Sequence, residues 1–153
     1  MNKLLFGIIL LGISIILGYF LSRKYVYKEK FYNDFLAFNN LIKNEILFSK
    51  NSLESLINNN LEKNEIVNLL KEYMDNKKIL KPYFLTEDEF IMVCEYLKYV
   101  GTSDAVSQIE YLKVVECRIL EEVKTAHQQR VKLCPAYIKL SVLIGITCFI
   151  LVI

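Results

Sequence analysis

Two charge-free runs, one near each end, constrain this chain more than any other feature. Leu4 to Leu21 reads "LLFGIILLGISIILGYFL" and Leu140 to Ile153 reads "LSVLIGITCFILVI", and neither contains a charged side chain. All 17 acidic residues, and every basic residue except Lys3, lie between them. At 153 residues the chain is one domain's worth of polypeptide, and 54% hydrophobic content is too high for a disordered one. A net charge of +2 points to no nucleic-acid partner.

The first run is long enough to cross a bilayer. As a helix it reaches roughly 27 Å at ~1.5 Å per residue, close to the ~30 Å hydrocarbon core. A cleaved signal peptide would share its basic start and apolar centre, but "GYFLSRKY" offers no A-x-A-like cleavage site. The second run reaches only about 21 Å alone. Extension back through "LCPAYIK" supplies the missing length if Lys139 carries its ammonium to the headgroups. Pro135 then falls near the interface, where a freed carbonyl finds water. A C-terminal helix packed on a soluble domain would need a polar face, and this run offers only Ser141 and Thr147.

Flanking charge sets an orientation. Arg23, Lys24, Lys28 and Lys30 follow the first run, and Arg130, Lys132 and Lys139 precede the second. The positive-inside rule therefore expects the middle of the chain in the cytoplasm. The expected fold is all-α: a small cytoplasmic helical bundle flanked by N- and C-terminal transmembrane helices. Residues 1–21 form the first span with a short leader, 22–134 the bundle and 135–153 the second span.

Helical periodicity fills the middle. Phe31, Phe35, Phe38, Ile42 and Ile46 recur on one face, and so do Leu61, Ile66, Leu69, Leu70 and Tyr73. Ser52 starts a shorter helical pattern with Leu53, Leu56 and Ile57, and Pro82 marks a loop. The longest stripe joins Val106, Ile109, Leu112, Val115, Ile119, Val123 and Ala126, and it leads into the second span. Between Thr86 and this stripe lies a marked corner. Thr86 and Glu89 make an S/T-x-x-E capping box, Gly101 suits a helix C′ position, and Thr102, Ser103 and Asp104 offer the next N-cap. The corner reverses the chain so that the Thr86 helix packs antiparallel on the long return helix.

No catalytic constellation is legible. The chain has no Walker-type loop, no H-E-x-x-H and no glycine-rich dinucleotide turn. Cys94, Cys117, Cys134 and Cys148 lack C-x-x-C spacing, and the lone His127 has no nucleophile beside it in sequence. Glu87, Asp88 and Glu89 are first-turn acids that complement a helix dipole. The expectation is a chain without enzyme activity, metal or cofactor.

The stretch "YLKYVGTSDAVSQIEYLK", the charged helix with "EEVKTAHQQRVKL" and the hydrophobic tail "SVLIGITCFILVI" resemble the stage III sporulation protein AB family. The matching corner, G-x-S-D-x-x-x-Q, is Gly101, Ser103, Asp104 and Gln108 here. Glu45 and Ile46, a linker, then Leu53 and Leu56 are similar to a second stretch of that family, although the linker "LFSKNS" lacks its Gly, Thr and Pro. The resemblance covers nearly the whole chain. It implies a non-catalytic platform subunit of a secretion-like sporulation complex, in the mother-cell membrane around the forespore. The family looks like a relative of the F-type platform proteins of type II secretion. The implied partners are a cytosolic secretion-type ATPase, other membrane subunits of the complex and membrane lipid. Gly101, Ser103, Asp104, Gln108 and Glu45 would then form a structural corner or a docking point. A two-span regulatory adaptor or sensor is the alternative, which a neighbouring kinase or protease gene would favour.

The orientation has a direct test. A cysteine placed at Asn76 should resist an impermeant thiol reagent in intact cells and react once the membrane is opened. Labelling without permeabilisation would reverse the orientation.

Overall fold

The computed structural model describes residues 2–48, 65–76, 79–100 and 104–152. Among them the chain forms four α-helices and no strand: α1 (Asn2–Phe48), α2 (Glu65–Asn76), α3 (Glu87–Tyr99) and α4 (Ala105–Val152). The short helical pattern that starts at Ser52 lies outside the described residues, as do Leu61, Gly101 and Ser103. Both long helices run unbroken, α4 passing straight through Pro135. By contact, the chain divides into two compact units, Met1–Glu29 with Thr125–Ile153, and Lys30–Lys124.

The first unit is an antiparallel pair made by the start of α1 and the end of α4. Gly7 faces Phe149, Ser14 Oγ donates to the Ser141 carbonyl at 2.5 Å, and Cys134 Sγ donates to the Ser22 carbonyl at 3.3 Å. Small residues make the closest approach. A Cβ on Gly18 would stand 2.1 Å from Ser141 Oγ and 3.2 Å from the Tyr137 carbonyl oxygen. Gly145 meets Ser14 Cβ and the Leu11 backbone in the same way, at 3.3 and 3.4 Å. Such small-residue contacts are how helices associate where no hydrophobic force distinguishes neighbour from lipid.

Most of the apolar surface of this unit points outward. Only 17% of the most apolar window of α1, and 11% of that of α4, is buried. Ile8, Leu17 and Phe20 on α1 and Leu143, Ile150 and Leu151 on α4 are all exposed. The core helix of a water-soluble protein would be covered instead. Two helices are therefore long and apolar enough to cross a membrane, and they are paired with each other.

The second unit has an ordinary packed core. α1 supplies Phe31, Phe35, Phe38 and Ile42, α2 supplies Ile66, Val67, Leu69 and Leu70, and α3 supplies Met92, Val93, Tyr96 and Leu97. α4 adds Leu112, Val115 and Ile119. Phe35 meets Tyr96 edge-on at 4.7 Å, a favoured aromatic geometry. The expected α1 stripe holds as far as Ile42, while Ile46 is only half-buried. Val106 departs from the expected α4 stripe, being 69% exposed. It sits six residues, or about 120° of helical phase, from Leu112, whereas Gln108 is one turn away and takes the inward place.

Capping fixes where α3 begins. Thr86 Oγ1 accepts from the Glu89 N–H at 3.4 Å, and Glu89 Oε2 accepts from the Thr86 N–H at 2.8 Å. The preceding loop closes on a Leu85 N–H to Pro82 carbonyl bond, and it buries Phe84 against Phe31. α3 then runs antiparallel to α4, with Met92 beside Val115 and Tyr99 against Tyr111.

The two glycines Gly12 and Gly18 separate pairing from composition. Gly18→Leu should lower the stability of the helix pair by about 1–3 kcal/mol, the usual cost of overpacking. Gly12→Leu, whose Cβ meets nothing within 4 Å, should stay within about 0.5 kcal/mol of the parent. Thermal melts of the full chain in lipid nanodiscs would compare the two, and equal effects would contradict the pairing.

Candidate functional site

Three places carry the polar and open features of the described residues. The first is the corner before α4. Asp104 is its N-cap: Oδ2 accepts from the Ser107 N–H at 3.0 Å, and the Asp104 carbonyl accepts from the Gln108 N–H at 2.9 Å. The Ser107 backbone bond holds the Asp104 carboxyl below its ordinary pKa. Gln108 is buried, and its Nε2 has no hydrogen-bond partner. Glu45 lies half-buried in the last turn of α1. Gly101 and Ser103 lie outside the described residues, so the visible part of the expected corner is Asp104 and Gln108. What it does there is start α4 and turn a glutamine inward.

The second place is a groove of about 370 Å³ between α3 and α4 in the second unit. Its buried base is Met92 and Val115, beside Tyr111, which stacks on Tyr96. Val114, Cys117, Arg118, Glu95 and Glu121 form the exposed rim. An apolar base under a charged rim suits a protein surface more than a small molecule, whose site would enclose it.

The third place lies in the first unit, where α1 and α4 leave their apolar stretches. Glu29 is only 8% exposed, and both of its oxygens are engaged. His127 Nδ1 stands 2.8 Å from Oε1 and Arg130 Nη1 2.7 Å from Oε2. An ionised carboxylate only accepts, so the His127 nitrogen must carry the hydrogen. Burial pushes the Glu29 carboxyl up, but the bonds from His127 and Arg130 outweigh it and bring its pKa below the ordinary 4.5. Beside it, buried Lys28 donates to Gln129 Oε1 at 3.4 Å. With both oxygens engaged, Glu29 is a lock that ties α1 to α4 at this level.

Sequence reasoning did not find this lock, although a signal was present. Glu29 follows Leu21 by as many residues as His127 precedes Pro135, so a hairpin register would have matched them. His127 itself is solvent-exposed, as its polar surroundings in sequence lead one to expect. Among the described residues no three His, Cys, Asp or Glu side chains gather as a metal-holding group. Comparison of the chain with protein-family models, with curated proteins and with solved structures finds no match.

The lock sets a pH dependence whose sign follows from the lowered pKa. A carboxyl with a depressed folded pKa stabilises the fold fully above its unfolded value of 4.5, and that contribution is lost as pH falls through the folded value. Glu29→Gln should cost about 1–2 kcal/mol at pH 7, the value of charged hydrogen bonds reduced because Arg130 and His127 are half-exposed. Parent and variant melting temperatures should converge below pH 4.5. A constant difference between them from pH 7 to pH 3 would show that Glu29 does not act through its charge.

Proposed function

We propose that this chain is a non-catalytic, two-span membrane subunit whose helical unit stands in the cytoplasm. In this reading it serves as a coupling platform of a secretion-like sporulation complex between mother cell and forespore. One observation carries it most directly. The two helices able to cross a membrane are also the two long helices that supply core residues to the second unit. A unit entered and left through spanning helices stays attached to one face of a membrane, which is what a platform needs and a diffusing enzyme does not.

Further features support the reading. The basic residues around both spans favour a cytoplasmic middle. Caps set where α3 and α4 begin, and Tyr99 against Tyr111 packs the two helices together. The groove between them supplies a surface of the kind that binds another protein. The sporulation assignment itself rests on the resemblance at Gly101, Ser103, Asp104 and Gln108, and on the span–bundle–span layout.

Loss of the gene should leave vegetative growth normal and arrest spore formation after engulfment. A chain truncated at Pro135, without its second apolar stretch, should behave like the deletion. The full-length protein in nanodiscs should capture the cognate secretion-type ATPase and hydrolyse no ATP by itself. Normal sporulation in the deletion strain, with no second gene copy, would overturn the platform reading and leave the regulatory adaptor.

A further inference from the structure

Charge is divided unequally between the two units. The second unit has 12 basic side chains and 16 acidic ones, whereas the first has seven basic side chains and a single acid, Glu29. That acid is buried and held by Arg130 and His127. Among the described residues no carboxylate pairs with Arg23, Lys24, Lys132 or Lys139.

These cations are nevertheless held in place. The Arg23 guanidinium lies 5.8 Å from the Tyr19 ring centroid and 5.1 Å from that of Tyr27, and it donates to Tyr27 Oη. Lys24 Nζ lies 5.6 Å from the centroid of Tyr25, which stacks on Tyr137 of α4. Aromatic faces orient a cation without neutralising it. The Cys134–Ser22 bond brings Lys132 on α4 to the level of Lys24 on α1. Tyrosines concentrate where hydrocarbon gives way to headgroups, and the group Tyr19, Tyr25, Tyr27 and Tyr137 marks that depth on both helices.

We propose that Arg23 and Lys24 on α1, with Lys132 and Lys139 on α4, form a binding surface for the phosphates of anionic phospholipids. The counter-charge these four side chains lack inside the protein is supplied by the leaflet. Arg23 offers a planar donor pair to a phosphate, and the lysines act as point charges around it. Capture of Glu29 by its own helix pair is part of the design, because an outward carboxylate at this level would compete with lipid. The proposal rests on the membrane reading above.

The full chain would be purified in a neutral detergent and titrated with short-chain phosphatidylglycerol or phosphatidylcholine, with helix melting followed by circular dichroism. Phosphatidylglycerol should raise the midpoint by on the order of 5 °C. Phosphatidylcholine should leave it in place, and about 0.5 M NaCl should remove most of the rise. R23Q/K24Q/K132Q/K139Q should abolish the rise, and K24Q/K132Q should reduce it if the fourfold variant folds poorly. Equal shifts with both lipids, an undiminished shift in the variants, or the same shift with inorganic phosphate alone would each overturn the proposal. Separately, release of the chain from phosphatidylcholine vesicles by alkaline extraction would sink the membrane reading, whatever the headgroup preference.

Discussion

Close approach of α1 and α4 over Gly18, Ser14, Ser141 and Gly145 is the contact on which the rest of the structure depends. Side chains there are small enough for backbones to meet, and Ser14 spends its hydroxyl on the facing backbone. In lipid such packing replaces the hydrophobic force that assembles soluble helices. It leaves large apolar residues of the paired stretches, among them Ile8, Leu17, Phe20, Leu143, Ile150 and Leu151, exposed. The same two helices continue into the second unit, where α1 gives Phe31, Phe35, Phe38 and Ile42 to the core and α4 gives Leu112, Val115 and Ile119.

Polar side chains take over as the apolar stretches end. Ser22, Lys28 and Glu29 are buried, and each spends its polar atoms on neighbours within the pair. In the second unit the force is the ordinary one: aromatic and aliphatic side chains leave water together. The phenol groups of Tyr32 and Tyr96 are carried into that core, and desolvation raises both pKa values far above the ordinary range.

Much of this was legible in the sequence. The charge-free runs announced two helices long and apolar enough to cross a membrane, and the three- and four-residue spacing of Phe31, Phe35, Phe38 and Ile42 announced the core face of α1. The Thr86–Glu89 box and the Asp104 cap were readable because capping depends on neighbours a few residues away. What stayed hidden depends on register between distant segments. Glu29 and His127 are 98 residues apart, and nothing local says that one is the other's partner. Asn39 donating to the Leu112 carbonyl is the same kind of fact. The groove was hidden for a related reason, since it is a gap between helices and belongs to no single one. Val106 was misplaced because three-residue steps drift in phase, and a polar neighbour, Gln108, held the inward position.

Pro135 gives the helix pair an unequal stiffness. Proline has no N–H to give the Val131 carbonyl, so α4 lacks one backbone bond at a level where α1 has all of its own. A rod under load bends where its cross-bracing is thinnest, and here that is a single turn of α4. The neighbouring Cys134 thiol is fastened to the α1 backbone beside that turn. Any bending of the pair would therefore fall first on α4 at this turn.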